Sequence, residues 1–151
     1  MATSKFSIKL QAGPSTKYEE RTAAVSTIKP GHLVKPNGST VNNCILNAAD
    51  NTVCEVALED VLQAKTLDDA YATSAIVFTM IPQEGDVFFA RVAAATYTEG
   101  QLLKAGANGQ LIAVAAATDR VIARAEPIDA NDRPVVSLAV SADGLLRVVK
   151  V

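Results

Sequence analysis

Lys5-Phe6-Ser7-Ile8-Lys9-Leu10 alternates polar and apolar side chains with a period of two, the pattern of a strand that buries one face. Gln11-Ala12-Gly13-Pro14-Ser15-Thr16-Lys17 interrupts it. Proline has no N–H to donate and glycine imposes no preferred backbone angle, so this segment predicts a loop or an extended arm. Residues 1–22 are therefore expected as an N-terminal arm. A β-rich domain over residues 23–151 follows, either single or built from two intimately packed subdomains. Within it, short apolar runs at residues 52–58, 75–81, 86–92, 120–125, 134–140 and 145–149 are bounded by Gly, Pro, Asn and Asp and read as strands. Asp143-Gly144 separates the last two runs and predicts a tight hairpin with positive φ at both central residues. Residues 59–71, with acids early and apolar positions at Val61, Leu62, Leu67, Ala70 and Tyr71, fit either a short helix or a long ordered connection, and propensity does not separate the two.

One pattern occurs twice. Gly31-His32-Leu33-Val34-Lys35 precedes Asn37-Gly38, and Gly100-Gln101-Leu102-Leu103-Lys104 precedes Asn108-Gly109. A valine-led run follows each, starting at Val53 and at Val121. The unit describes a turning glycine, a short strand, a hairpin turn and a return strand. Any β protein repeats turns and strands, but the lysine and the Asn-Gly recur here in the same order, which favours a true repeat. Two such units closing around shared apolar material leave fewer strand edges exposed. The expected fold is mainly β: a small β-barrel or β-sandwich of duplicated hairpin units, with an extended N-terminal arm and at most one short helix.

Composition narrows the picture. At 151 residues and 49% hydrophobic content, the chain has the length and the apolar material for a sizeable core. Aromatics reach only 5% and Trp is absent, so that core is expected to be built from small and β-branched side chains. A formal net charge of −2 without a basic patch argues against nucleic acid, whose binding draws on Lys and Arg displacing counterions from phosphates. No apolar run approaches the roughly 20 residues of a membrane span, and the N-terminus lacks a signal-like apolar segment. The chain is expected to be soluble and made in a reducing cytoplasm. There Cys44 and Cys54 read as two small buried hydrophobes, although the turn-like residues 47–51 between them would also place them opposite each other on a hairpin.

Candidate chemistry is sparse. His32 is the sole histidine and sits beside Gly31 at a predicted turn, where an exposed or capping role is expected. One His and two Cys supply neither the ligands nor the spacing of a zinc site, and no phosphate-cradling glycine loop is present. The acidic pairs Glu19-Glu20, Glu59-Asp60 and Asp68-Asp69, with Glu84 and Asp86, read as solvated surface charge, because adjacent strand residues point to opposite faces and form no carboxylate dyad. Asn37-Gly38-Ser39 is a turn before it is a sequon. No catalytic, cofactor-binding or metal-binding residue is assigned.

The succession Glu99-Gly100-Gln101-Leu102-Leu103-Lys104, Asn108-Gly109-Gln110-Leu111-Ile112, Val121-Ile122-Ala123-Arg124-Ala125-Glu126 and Val135-Val136-Ser137-Leu138 resembles the head decoration, or cement, proteins of tailed bacteriophages. The resemblance covers the last third of the chain well and residues 30–59 more loosely. It implies a non-enzymatic homotrimer without cofactor, bound to the major capsid protein at capsomer junctions on the outer surface of the virion. Phe6, Ile8, Leu10 and Tyr18 would then be the capsid or subunit contacts of the arm. The same strand fits equally well in the chain's own barrel. Two other classes use similar hairpins: biotinyl- or lipoyl-carrier barrels and carbohydrate-binding modules. Met1 and Met80 flank no lysine, and the absence of Trp argues against a sugar platform.

Overall fold

The computed structural model describes residues 7–43, 54–60 and 65–151. Its strands follow the short aliphatic runs. The first group is β1 Lys9–Gln11, β2 Lys17–Ala23, β3 Leu33–Asn37, β4 Thr40–Asn43, β5 Glu55–Ala57 and β6 Ile76–Ile81. The second is β7 Val87–Val92, β8 Ala95–Thr98, β9 Leu102–Ala105, β10 Leu111–Ala113, β11 Ala123–Ala125, β12 Ser137–Val140 and β13 Gly144–Lys150. Strands β2-β4-β3-β5-β6 close into a barrel. Strands β7-β10-β9-β11-β13 close into a second one, because β13 also pairs with β7. β1 lies against the free stretch of the other edge of β7, and β8 with β12 forms a two-stranded ribbon. The mainly β, duplicated-barrel expectation holds, and a single 3-10 turn at Ala107–Gly109 is the only helical element among the described residues.

The two barrels share one topology. In each, all pairings are antiparallel except one, β2 with β4 in the first and β7 with β10 in the second. Hydrogen bonds coincide position by position. Gly31 N donates to Ala57 O and Gly100 N to Ala125 O, while Ala57 N donates to His32 O and Ala125 N to Gln101 O. Ala24 N donates to Val41 O as Ala93 N does to Leu111 O, and Leu58 N to Phe78 O as Glu126 N does to Arg147 O. The repeated glycine, aliphatic pair and lysine therefore mark structurally equivalent sites. The ribbon β8-β12 belongs to the second barrel alone.

The barrel interiors differ. The second is filled by Phe88, Ala90, Val92, Leu103, Leu111, Ala123, Ala125, Leu146 and Val148, all fully or nearly fully buried. In the first, Ala23, Val34, Val41, Ala57 and Val77 make a smaller apolar cluster. At the positions of Ala90, Ala123 and Val148 it carries Arg21, Glu55 and Thr79, and the counterpart of Phe88 is the exposed Glu19. Arg21 Nη2 donates to Glu55 Oε1 at 2.7 Å, and Thr79 Oγ1 to Glu55 Oε2 at 2.6 Å. A buried carboxylate so held satisfies its lone pairs without water.

Some expectations change. Asp143-Gly144 does not close a hairpin: Asp143 has φ 60°, but Gly144 is not in the positive-φ region, and β12 pairs with β8 while β13 pairs with β7 and β11. Gly144 is instead a packing requirement, since a Cβ there would lie 2.5 Å from Val140 Cγ1. No helix forms at residues 59–60 or 65–71, where Asp69 Oδ2 accepts from Thr66 N and Oγ1 to hold a turn; residues 61–64 lie outside the described residues. Cys54 packs half-buried against the core, and Cys44 with residues 47–51 also lies outside the described residues. Of residues 1–22, 9–11 form β1 and 17–22 fall within β2.

Candidate functional site

Polar side chains gather at the seam between the barrels. The turn before β3 presents Lys29, Pro30, Gly31 and His32 from the first barrel; β7 presents Arg91 and the turn before β13 presents Asp143 from the second. Gly31 adopts φ 88° and lies so close to the second barrel that a Cβ would stand 3.0 Å from Leu145 Cδ2 and 3.2 Å from Arg91 Cγ. Only glycine fits both the backbone angle and the space. Its carbonyl accepts from Arg91 N at 2.9 Å.

His32 is buried rather than exposed, with 4% of its surface accessible. Its capping role is real: Nδ1 accepts from Lys29 N at 3.0 Å, which puts the ring proton on Nε2, donated to Asp143 Oδ1 at 2.7 Å. Burial lowers the His32 pKa from 6.5, against the opposing hydrogen bond to Asp143. Burial alone would raise Asp143, yet hydrogen bonds from His32, Gln110 and Lys29 outweigh it and hold the carboxyl below its ordinary value. Arg91 is the buried charge of this cluster, at 2% exposure. Nε donates to Pro30 O at 2.9 Å, Nη1 to Asp143 O at 2.6 Å, and Nη2 to Leu67 O and, at 3.1 Å, to Asp68 Oδ1. An open cleft of about 410 Å³ lies outside this cluster, lined by Lys29, Asp68, Arg91 and Asp143.

The arrangement leaves little for chemistry to use. Both His32 nitrogens are engaged, so neither can take a proton from a substrate without breaking the seam. Among the described residues no three His, Cys, Asp or Glu side chains converge as metal ligands, and no helix is long and apolar enough to cross a membrane. The carboxylates expected on the surface divide. Glu19, Glu20, Glu84 and Asp68 are exposed. Glu59 instead ties down the N-terminal segment through Ser7 Oγ and Ile8 N, and Asp86 accepts from Gly13 N, Thr16 Oγ1 and Gln83 N.

The neutral, buried His32 carries a pH dependence. Above 6.5 both folded and unfolded states hold it neutral; as pH falls below 6.5 the unfolded chain takes up a proton first, so stability drops until the lower folded-state pKa is passed. His32→Gln, which copies Gln101 of the second barrel, is expected to remove this part of the acid limb. Urea midpoints of wild type and variant, compared at neutral pH and about one to two units below 6.5, measure it.

The candidate contact residues are dispersed. Ile8 is fully buried in the core that joins the barrels, Leu10 and Tyr18 are about half exposed at 46% and 49%, and Phe6 lies outside the described residues. Lys9 Nζ stands 5.1 Å from the Tyr18 ring centroid, linking β1 to β2 across this surface.

The fold has a counterpart among solved structures. It is similar to the N base of the head fiber protein gp8.5 of bacteriophage phi29, with a TM-score of 0.55 and 11% sequence identity over 90% of this chain and 94% of that one. No family model matches the chain, and no curated protein does. The likeness covers nearly the whole of both chains. At this identity the likeness shows the fold of the present chain.

Sequence reasoning missed Arg91, Glu55 and Asp143. A signal was present for Arg91: residues 87–92 are apolar on both faces, and a strand of that kind must be covered on both, which forces its one arginine inside. No comparable signal marks Glu55, because its partners Arg21 and Thr79 are distant in sequence.

Proposed function

We propose that this chain is a structural protein of a bacteriophage virion that binds the outer face of the expanded capsid at capsomer junctions and stabilises the shell as a decoration protein. The observation that carries the reading is the tandem-barrel fold it has in common, nearly end to end, with a phage head fiber base. The internally satisfied polar clusters support a role in binding rather than reaction, and the cement-like succession in the last third of the sequence supports the same class. In this reading the protein is a homotrimer, needs no cofactor, engages no nucleic acid or membrane, and meets the major capsid protein or a neighbouring subunit through Leu10 and Tyr18. Ile8 contributes only indirectly, by fixing β1 against β7.

Such a protein acts by mass action. If its site exists only on the expanded shell, each bound copy favours that state by its differential affinity. Purified protein mixed with expanded and unexpanded capsids is expected to co-sediment with the expanded form alone. Leu10→Asp is expected to weaken that binding about tenfold, the effect of removing a moderate interface side chain. Failure of the wild type to co-sediment with either form overturns the proposal.

A further inference from the structure

Within the chain, the first barrel docks through the outer face of β3, β5 and β6, where Leu33, Val56 and Met80 are buried at 1%, 0% and 0% exposure. They join one apolar cluster with Phe89 on the outer face of β7, and Leu145 of β13 packs against it. Because the barrels are duplicates, each carries both a docking face and a receiving face. A tandem pair uses one of each and leaves one of each open.

The open faces have the composition of a contact. On the second barrel, the counterparts of Leu33 and Val56 are Leu102 and Arg124, which stand in register across β9 and β11 as Leu33 and Val56 do across β3 and β5. On the first barrel, the counterparts of Phe89 and Leu145 are Glu20 and Ile76. Leu102 is 44% exposed and Ile76 53%, whereas Leu33 is sealed. Where the internal seam sets Val56 and Phe89 in one apolar cluster, the open faces set Arg124 on one and Glu20 on the other, both exposed and opposite in charge. One difference makes the copied contact weaker. Thr22 N, the counterpart of Arg91 N, already donates to Ser39 O and offers no bond to an incoming turn.

We propose that a second copy of this chain docks its Leu102–Arg124 face onto the Ile76–Glu20 face of the first, repeating the internal seam between molecules. The contact is heterologous, since the two surfaces are different, and so generates a ring if the rotation closes and a filament if it does not. The proposal deepens the self-association in the reading above by naming its surfaces.

Analytical ultracentrifugation of the purified chain at about 100 μM, where a contact with Kd near about 10 μM is mostly formed, tests it. Wild type is expected as an oligomer, and Leu102→Glu and Ile76→Glu each as a 15.8 kDa monomer with unchanged circular dichroism, both sites being exposed. Mixed in equal amounts, the two variants are expected to form a dimer and nothing larger, because each keeps the face the other has lost. Wild-type oligomers that persist in both variants, or a mixture that stays monomeric, overturn the head-to-tail contact alone. A monomeric wild type overturns it together with the self-association proposed above, even if Leu102 then proves to matter for capsid binding.

Discussion

Arg91→Met is expected to lower folding stability by about 3–5 kcal/mol, the cost of breaking a buried charged network from one side. The guanidinium ties three backbone carbonyls, of Pro30, Leu67 and Asp143, to one strand. Methionine fills much of the volume but donates nothing, so those carbonyls lose their charged donor where water reaches poorly. With an m-value of about 1–3 kcal/mol per molar urea, the midpoint should fall by one molar or more. Arg91→Lys is expected to recover little, because one ammonium cannot reach carbonyls spread around a planar fork. A variant within about 0.5 kcal/mol of wild type would mean that the seam is held by Leu33, Val56, Met80 and Phe89 alone, with Arg91 incidental.

The same seam defines what the sequence could disclose. Gly31 and Gly100 were readable as equivalent corners because the aliphatic pair, lysine and Asn-Gly after each are local, and local patterns survive in one dimension. The strands at residues 76–81, 87–92 and 144–150 were readable for the same reason. Asp143-Gly144 misled because a turn dipeptide reports backbone angles and not which edge the next strand will join; here β13 had two better partners in β7 and β11. His32 looked like a turn residue and is one, but its burial depends on Asp143 and Arg91, which only the docking of one barrel on the other brings near. Glu59 and Asp86 looked like surface charge because nothing local announces that Ser7, Gly13 and Thr16 will return to them. Leu10 and Tyr18 are half exposed, whereas Ile8, which a period of two places on the same face as Leu10, is buried, because the register with β7 shifts between Lys9 and Gln11 and breaks the alternation there.

Duplication also supplies its own control for the ion pair inside the first barrel. Glu55→Leu is expected to cost about 2–3 kcal/mol, less than a fully buried break because the Arg21 side chain keeps 20% of its surface in water. It strands the guanidinium against an apolar wall and removes the short Thr79 bond to the carboxylate. Arg21→Met combined with Glu55→Leu is expected to return to within about 1 kcal/mol of wild type, as replacing a buried pair by apolar groups of similar volume commonly does. The second barrel already carries that solution, with Ala90 and Ala123 at the matching positions and Val148 in place of Thr79. Equilibrium urea unfolding of wild type, both single variants and the double variant gives the coupling between Arg21 and Glu55, expected at about 1–3 kcal/mol. Equal losses in the single Glu55→Leu and the double variant would place the cost in the shape of the leucine rather than in the stranded charge, and the two interiors would then differ in packing as well as in polarity.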